Sequence, residues 1–274
     1  MNNEIFNLPI ITGKNNSTIT RIGKLQNKKY RNDERLFICD GVKLFLEAYK
    51  YNAEIKYVVL DNEAVFSPEI IDKLRILQRK GTTILCVDNS NFKRITTEAA
   101  PQGIITVCEY FITKHSFFSP YKNADPTDKI LMIESVRDPG NMGTILRNAV
   151  AFGIDKLVLS SDCVDIYSPK VVRSSMGAIF KINIDVTEDF SDWITQFKKQ
   201  GRRVIGAALG KKSLILGKDQ ILNTDIFVLG NEGHGLSDSV LENCSETIFI
   251  PIKENTESLN VSIASAILMW EISK

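Results

Sequence analysis

Hydrophobic and polar positions follow two different periods along the chain, and this predicts helices and strands in succession. In the first hundred or so residues, apolar positions at helical spacing predict helices over 41–51 and 68–81. Short apolar runs predict strands over 55–60, 83–88 and 105–111. These elements together predict a compact α/β unit in the N-terminal half of the chain.

The same succession resumes after residue 129. Apolar runs predict strands over 130–136, 156–161, 179–184, 203–209, 225–230 and 247–252. Helical patterns lie between and after them, over 141–153, 168–177, 192–201, 236–241 and 258–273. Asn141 is the predicted N-cap of the first of these helices. The last helix carries one apolar stripe, made of Leu259, Ile263, Ala266, Ile267 and Trp270. Such alternation of strands and helices predicts a mostly parallel sheet that is covered on both faces.

Residues 114–128 break both periods. This segment contains two prolines and little hydrophobic periodicity, which favours a linker. We therefore predict two domains, 1–113 and 129–274, and a chain of 274 residues is long enough for both.

Composition narrows the class of protein. Hydrophobic residues make up 43% and charged residues 24%, ordinary values for a soluble globular protein. The sequence has no apolar run long enough to span a membrane and no signal-peptide pattern at its start. Five cysteines without a CxxC pair favour a reducing compartment, so we expect a cytoplasmic protein. With two histidines in total, we expect no metal site.

Positive charge is concentrated near the N-terminus, although the net charge of the whole chain is only +1. Residues 21–35 hold six cations against two acids. This stretch forms a basic stripe near the N-terminus. Phe37, just beyond this stretch, is expected in the core.

Three polar clusters follow predicted strands, at 137–153, 230–237 and 253–265. Ligands of parallel sheets bind beyond the carboxyl ends of strands, so these clusters are candidate sites. Each also has a plainer interpretation as a helix cap or a turn. The order of glycines in 230–235 does not match a dinucleotide-binding fingerprint, and the chain has neither a phosphate-binding loop nor a GxSxG motif.

Taken together, the clusters resemble the three motifs of the SpoU, or TrmH, RNA ribose methyltransferases of the SPOUT superfamily. The matching residues are Asn141, Gly143, Arg147, Ala149, Phe152 and Gly153; Gly230, Glu232, Gly233, Gly235, Leu236 and Ser237; and Ile250, Pro251, Ser258 to Ser262 and Ala264. The N-terminal half resembles the family's substrate-binding domain, which is similar to ribosomal protein L30e. That likeness rests on Lys29-Tyr30-Arg31, Phe37 and Asp40-Gly41, where the family usually has Glu-Gly.

The resemblance implies a fold and an activity. It implies an N-terminal L30e-like α/β domain and a C-terminal SPOUT α/β domain with a deep trefoil knot, which forms a homodimer. It also implies methylation of a ribose 2′-hydroxyl in RNA, with S-adenosylmethionine as the methyl donor. Large-subunit ribosomal RNA is the expected substrate; the alternatives are transfer RNA and a non-catalytic RNA-binding protein.

The resemblance also implies which residues form the site. The expected catalytic residues are Asn141, Arg147, Glu232, Ser258 and Asn260. The expected cofactor-binding residues are Gly230, Glu232, Gly233, Ile250, Ile252, Leu259 and Asn260. Glu232 is expected to pair with Arg147 or to orient the substrate. In the basic stripe, Lys28, Lys29 and Arg31 are expected to contact RNA phosphates, the alternative being a solvated helix face. The glycines of 230–235 are expected to let the backbone approach the cofactor closely.

Overall fold

The computed structural model describes residues 6–111, 125–210, 213–253 and 258–274. By its internal contacts the chain divides into two compact units, Met1–Phe111 with Asp165–Phe180, and Ile112–Val164 with Lys181–Lys274. Most of the expected linker 114–128 lies outside the described residues, so the domain boundaries stay a prediction. The assignment of Asp165–Phe180 to the first unit has no counterpart in the sequence analysis.

The first unit contains a mixed five-stranded sheet with the strand order β1-β4-β3-β5-β2. Its strands are β1 (Ile10–Ile11), β2 (Leu36–Asp40), β3 (Ile55–Asp61), β4 (Thr83–Val87) and β5 (Ile104–Glu109). Its helices are α1 (Ser17–Lys24), α2 (Lys28–Glu34), α3 (Val42–Lys50), α4 (Pro68–Arg79) and α5 (Asn89–Ile95). Strand β5 runs antiparallel to β2 and β3, whereas β4 pairs in parallel with β1 and β3. The predicted α/β character of this half is confirmed.

Helices α1 and α2 lie in the basic stretch, where the sequence analysis predicted no defined element. Each has an asparagine N-cap: Asn16 accepts a hydrogen bond from the Ile19 N–H and Asn27 from the Lys29 N–H. Helix α1 buries Ile19 and Ile22 in the core of the first unit. Phe37 is fully buried there, as expected.

The segment Asp165–Phe180 contributes a helix and two packed aromatic rings to the first unit. It contains α7 (Pro169–Ser174) and a short 3₁₀ turn (Ala178–Phe180). The ring of Tyr167 stacks on Tyr110 with centroids 3.8 Å apart and lies 4.7 Å from Phe37. The predicted strand 179–184 is wrong, because Phe180 packs into this aromatic group and the strand begins only at Asn183.

The second unit contains a seven-stranded sheet with the order β10-β12-β9-β11-β6-β7-β8. Its strands are β6 (Ile130–Ile133), β7 (Lys156–Ser160), β8 (Asn183–Thr187), β9 (Val204–Ala207), β10 (Leu214–Ile215), β11 (Ile226–Leu229) and β12 (Glu246–Phe249). Its helices are α6 (Pro139–Ala151), α8 (Phe190–Lys199), α9 (Asp238–Asn243) and α10 (Val261–Ser273). Every recorded strand pair is parallel, which confirms the predicted sheet. The knot stays a prediction.

The strand order places the candidate site. Strand β6 pairs with β7 on one side and with β11 on the other, so the chain changes direction across the sheet at β6. A change of direction of this kind opens a crevice beyond the carboxyl ends of the two strands that flank it. The first two polar clusters follow β6 and β11 and therefore meet at this crevice.

Helix α10 is apolar on more than one side. Leu268, Met269 and Ile272 are buried, whereas Ile263 and Trp270 of the predicted apolar stripe are 50% and 55% exposed. The predicted stripe is therefore the more exposed side of the helix. No helix among the described residues is long and apolar enough to cross a membrane.

Candidate active site

Helix α6 begins with an aspartate cap. Asp138 is its N-cap, and its Oδ1 accepts a hydrogen bond from the Asn141 N–H at 2.8 Å. The prediction of Asn141 as the cap is wrong, because Pro139 fills the first helical position and thereby places the cap at residue 138. The Asp-Pro pair is the sequence signal that locates this helix start. The side chain of Asn141 does not cap the helix and is available for another contact.

That side chain donates to the carboxylate of Glu232. Glu232 Oε1 accepts from Asn141 Nδ2 and from the Asp138 N–H, each at 3.1 Å, and Oε2 accepts from the Arg137 N–H at 3.2 Å. Partial burial acts to raise the pKa of Glu232, but these hydrogen bonds outweigh it and the pKa is lowered. Glu232 is therefore an ionised acceptor at the N-terminus of α6, a position that the helix dipole favours.

A chain of hydrogen bonds with one polarity starts at this carboxylate. Because Glu232 only accepts, Asn141 turns its NH₂ group towards it, and its Oδ1 then accepts from Asn260 Nδ2 at 2.9 Å. The Asn260 Oδ1 accepts in turn from the Ser262 N–H at 2.8 Å, which makes Asn260 the N-cap of α10. One residue from each of the three polar clusters thus joins a single relay, which we call the Glu232–Asn141–Asn260 relay.

Contacts within the loop that carries Glu232 account for two of the loop's glycines without a ligand. A Cβ on Gly230 would lie 2.2 Å from the backbone of Gly235, and Gly235 itself has φ +72°. The backbones of Asn231 and Gly235 pair across the loop. The close approach that the sequence analysis assigned to the cofactor is here an approach of the chain to itself. Gly233 has no such constraint, since its nearest neighbour would lie 3.5 Å away.

Beneath the relay lies a carboxylate that the sequence analysis missed. Asp162 accepts hydrogen bonds from the side chains of Ser135, Ser160 and Arg137, the last at 2.7 Å. Ser135 has φ +55°, and its carbonyl accepts from Asn231 Nδ2 at 2.7 Å. Asp162 therefore holds the backbone whose N–H groups bind Glu232. No motif marks this aspartate in the sequence.

A cavity of ≈ 400 Å³ lies beside the third cluster. Four of the predicted site residues line it: Ile250, Ile252, Ser258 and Leu259. The other lining residues are Ala207, Ala208, Leu209, Ile248, Phe249, Lys253, Ala264 and Leu268. Leu259 directly precedes Asn260, which connects the cavity to the relay.

Not every expected cofactor residue reaches this cavity. Gly230, Glu232, Gly233 and Asn260 are not among its lining residues. Cofactor binding at these four positions stays a prediction. Among the described residues, no group of three or more His, Cys, Asp and Glu side chains is arranged to hold a metal ion.

Arg147 stands apart from the relay. It is exposed on α6, and Glu232 bonds to Arg137, Asp138 and Asn141 instead, so the expected pairing of Glu232 with Arg147 is wrong. Across the part of the chain that the structure describes, the Arg147 guanidinium has no hydrogen-bond or ion-pair partner. Its five N–H donors are therefore not used by any described residue.

The expected RNA-binding residues separate into two groups. Lys28 and Lys29 are exposed on α2, and RNA binding there stays a prediction. Arg31 is only 3% exposed; its Nε and Nη2 donate to Asp165 at 3.1 and 2.6 Å, and its Nη1 donates to the carbonyls of Leu25 and Gln26 at 2.8 Å. The expectation that Arg31 contacts RNA is wrong, because its side chain is buried and its donors are used in hydrogen bonds within the first unit.

Comparison with solved structures defines the class of protein. An rRNA methyltransferase from Sinorhizobium meliloti superimposes with a TM-score of 0.83 at 25% identity, covering 96% of both chains. A putative RNA methyltransferase of the TrmH family from Porphyromonas gingivalis superimposes with a TM-score of 0.76 at 29% identity, covering 96% of this chain and 100% of that one. The fold is that of an RNA methyltransferase.

Comparison of sequences gives the family. The SpoU rRNA Methylase family matches residues 128–270, and the MRM3-like substrate binding domain matches residues 16–106. The 23S rRNA (guanosine(2553)-2′-O)-methyltransferase RlmP of Bacillus subtilis is 30% identical over 253 residues, which are 91% of this chain and 93% of that protein. The chain belongs to the SpoU rRNA methylase family, which confirms the predicted resemblance and the predicted class of enzyme.

Proposed function

We propose that this protein transfers a methyl group from S-adenosylmethionine to a ribose 2′-hydroxyl of large-subunit ribosomal RNA. The observation that carries the proposal is the Glu232–Asn141–Asn260 relay, which joins all three polar clusters next to the cavity. The Bacillus subtilis relative supports the choice of RNA, since its name specifies guanosine 2′-O-methylation of 23S rRNA. A Sinorhizobium meliloti methyltransferase with bound AdoMet has the same fold, with a TM-score of 0.82 at 24% identity over 96% of this chain and 97% of that one.

The cavity fits the methyl donor in size and chemistry. Its volume of ≈ 400 Å³ falls within the range of about 300–1,000 Å³ that is typical of small-molecule sites. Ile250 and Ile252 follow the end of β12, and Leu259 precedes α10, so loop peptide groups and apolar side chains line the cavity. These three residues would hold the adenosine moiety. When bound, S-adenosylmethionine supplies an electrophilic methyl group on its sulfonium.

The residues of the relay would act as positioning residues. The amide of Asn141 is used at both ends, which holds Asn260 and the start of α10 in one orientation beside the cavity. A ribose placed against Ser258 and Asn260 would present its 2′-hydroxyl to the cavity in a defined direction. Alignment of this kind provides a large part of the rate enhancement in a group transfer.

Arg147 is the candidate for direct contact with RNA at the reacting group. A guanidinium keeps its proton at any physiological pH, so Arg147 is a poor base. It is well suited to binding a phosphate or to stabilising negative charge on the 2′-oxygen as the hydroxyl proton leaves. Its exposure, and the absence of a partner for it among the described residues, agree with this role.

We further propose that the protein is a homodimer through the exposed side of α10. Ile263 and Trp270 lie seven residues apart, which is two helical turns, and both are at least half exposed. A second copy of the chain that covers this side would remove both from water. The expected cytoplasmic location stays a prediction.

The test is to map 2′-O-methylation in RNA from cells with and without the gene, and then to restore the methyl group in vitro with purified protein and S-adenosylmethionine. One rRNA ribose that loses and regains its methyl group is the expected result. A change confined to transfer RNA would replace the proposed substrate. No change at any position, with no cofactor binding in titration, would favour a non-catalytic RNA-binding protein.

A further inference from the structure

A groove crosses helix α1 in the first unit, and none of its lining residues belongs to the three polar clusters. It consists of two adjoining cavities of ≈ 450 and ≈ 210 Å³ that share Thr20 and Lys24. Arg21, Tyr30 and Glu34 line the larger cavity, and Arg94 lines the smaller one. We call it the α1 groove. Its larger cavity is within the range of about 300–1,000 Å³ that holds small organic ligands.

The charges in the α1 groove are arranged unevenly. Arg21 donates two hydrogen bonds to the Glu34 carboxylate, one of them from Nε to Oε1 at 2.8 Å, so these two charges offset each other. The hydrogen bond from Arg21 lowers the pKa of Glu34, which stays ionised. The excess positive charge comes from Lys24 and from Arg94, which donates to Asn91 Oδ1 at 3.1 Å. An ionised Glu34 disfavours a phosphate inside the cavity but tolerates an uncharged base.

Tyr30 supplies an aromatic surface at the wall of the groove. The residue is 36% exposed, and Lys24 Nζ lies 5.3 Å from the centroid of its ring. Aromatic rings beside cations bind unstacked nucleobases in single-stranded RNA, since every base offers a face for stacking. Lys28 and Lys29 are exposed on the same helix as Tyr30, so phosphates on either side of such a base would meet positive charge.

We propose that the α1 groove binds one unpaired nucleotide of the RNA substrate, with its base against Tyr30 and the adjoining phosphates at Lys24 and Lys28. The identity of the RNA rests on the proposed function; the groove itself does not. A base inside a duplex hides its faces and cannot enter a cavity, so the nucleotide must come from a loop, a bulge or a single strand.

The test measures binding of the full chain to 23S rRNA from cells that lack the gene. Tyr30→Ala is expected to weaken binding by roughly 5- to 150-fold, the usual effect of removing one stacking ring, whereas Tyr30→Phe binds like the parent. Lys24→Gln is expected to lower the slope of log affinity against log salt by about 0.7, and Tyr30→Ala leaves this slope unchanged. A short single-stranded RNA is expected to compete for binding, and a short RNA duplex to compete poorly.

The first unit offers a matched control. Tyr51 is 41% exposed, and Lys50 Nζ lies 5.5 Å from its ring, yet Tyr51 lines neither cavity of the groove. Tyr51→Ala is expected to bind like the parent. Ultraviolet crosslinking is expected to join a nucleotide to the peptide that contains Tyr30. Unchanged binding in Tyr30→Ala, an equal loss in Tyr51→Ala, or equal competition by the duplex would overturn the proposal.

The two proposals fail in distinguishable ways. If the protein binds rRNA in a Tyr30-dependent manner but methylates none, the proposed function fails and the groove stands. If it methylates rRNA and Tyr30→Ala changes neither binding nor crosslinking, the groove fails alone. S-adenosylmethionine affinity, measured by titration, is expected to be the same in every variant of the groove.

Discussion

Replacing Arg31 distinguishes a structural cation from one that binds RNA. Its side chain is 3% exposed and that of its partner Asp165 is 12% exposed. Arg31→Ala would leave a carboxylate and the carbonyls of Leu25 and Gln26 without their donor. Removing one partner of a buried ion pair costs about 3–5 kcal/mol of unfolding free energy, a large fraction of the stability of a typical domain.

Two further variants separate the contributions. Arg31→Lys keeps the positive charge but cannot reach Asp165 and two carbonyls at once, so we expect a loss of about 1–3 kcal/mol. In the double variant Arg31→Met with Asp165→Leu, no charge is left buried alone. We expect it to be more stable than Arg31→Ala.

The assay is urea unfolding followed by circular dichroism, with RNA affinity measured at several salt concentrations. Lys28→Ala is the control, because Lys28 is exposed on the same helix; its stability is expected to stay within about 0.5 kcal/mol of the parent. If Arg31→Ala unfolds like the parent and instead reduces the salt dependence of RNA binding, Arg31 is a phosphate contact and the structural interpretation is refuted.

Four other changes test the site and the assembly. Glu232→Gln is expected to lower the free energy of unfolding by only about 1 kcal/mol at neutral pH, since the carboxylate is largely exposed. Because the pKa of Glu232 lies below its ordinary value of about 4.3, the difference in melting temperature from the parent should vanish as the pH falls through that lowered pKa. A difference that does not change with pH would contradict this. Gly230→Ala places a methyl group 2.2 Å from the backbone of Gly235 and is expected to lower the free energy of unfolding by about 1–3 kcal/mol and to remove most of the methylation rate. Gly233→Ala is the control for stability, since a Cβ there would lie 3.5 Å from its nearest neighbour, and equal melting temperatures of the two variants would contradict the strain argument. Trp270→Glu is expected to yield monomers in size-exclusion chromatography with light scattering, and an unchanged mass would remove α10 from the interface. In the same methylation assay, Arg147→Ala is expected to lose activity with S-adenosylmethionine affinity nearly intact, and an active variant would exclude the proposed role.

Three of the predicted site residues were recognisable in the sequence because their signals are local. Strands that end in polar residues identify the edge of the sheet, and Asn141, Glu232 and Asn260 lie at three such ends. The three residues meet in one relay because the strand order brings those strand ends together, and the strand order cannot be read from a single sequence. Asp162 was missed for the same reason, because it bonds to Ser135 across two neighbouring strands and no local pattern marks it.

Two of the errors, those at Arg31 and at the strand predicted over 179–184, have a common cause in distant partners. Arg31 lies in a basic stretch and looks solvated, but the residue that neutralises it is 134 positions away. The apolar run 179–184 has the composition of a strand, yet Phe180 is drawn into an aromatic group with Phe37. In both cases tertiary packing overrides a local pattern, and no sequence signal within ten residues of either position indicates the distant contact.

The assignment of Asp165–Phe180 to the first unit has a consequence for inheritance. A gene fragment that ends at Phe111 would encode the five-stranded sheet but not Asp165 or Tyr167. Such a fragment would leave Arg31 charged and unpaired and would uncover the face of Tyr110. Recombination at the predicted linker alone would therefore not exchange the complete first unit between relatives. A workable exchange must carry two separate stretches of the gene together, so the two units are expected to be inherited, and to diverge, as a pair.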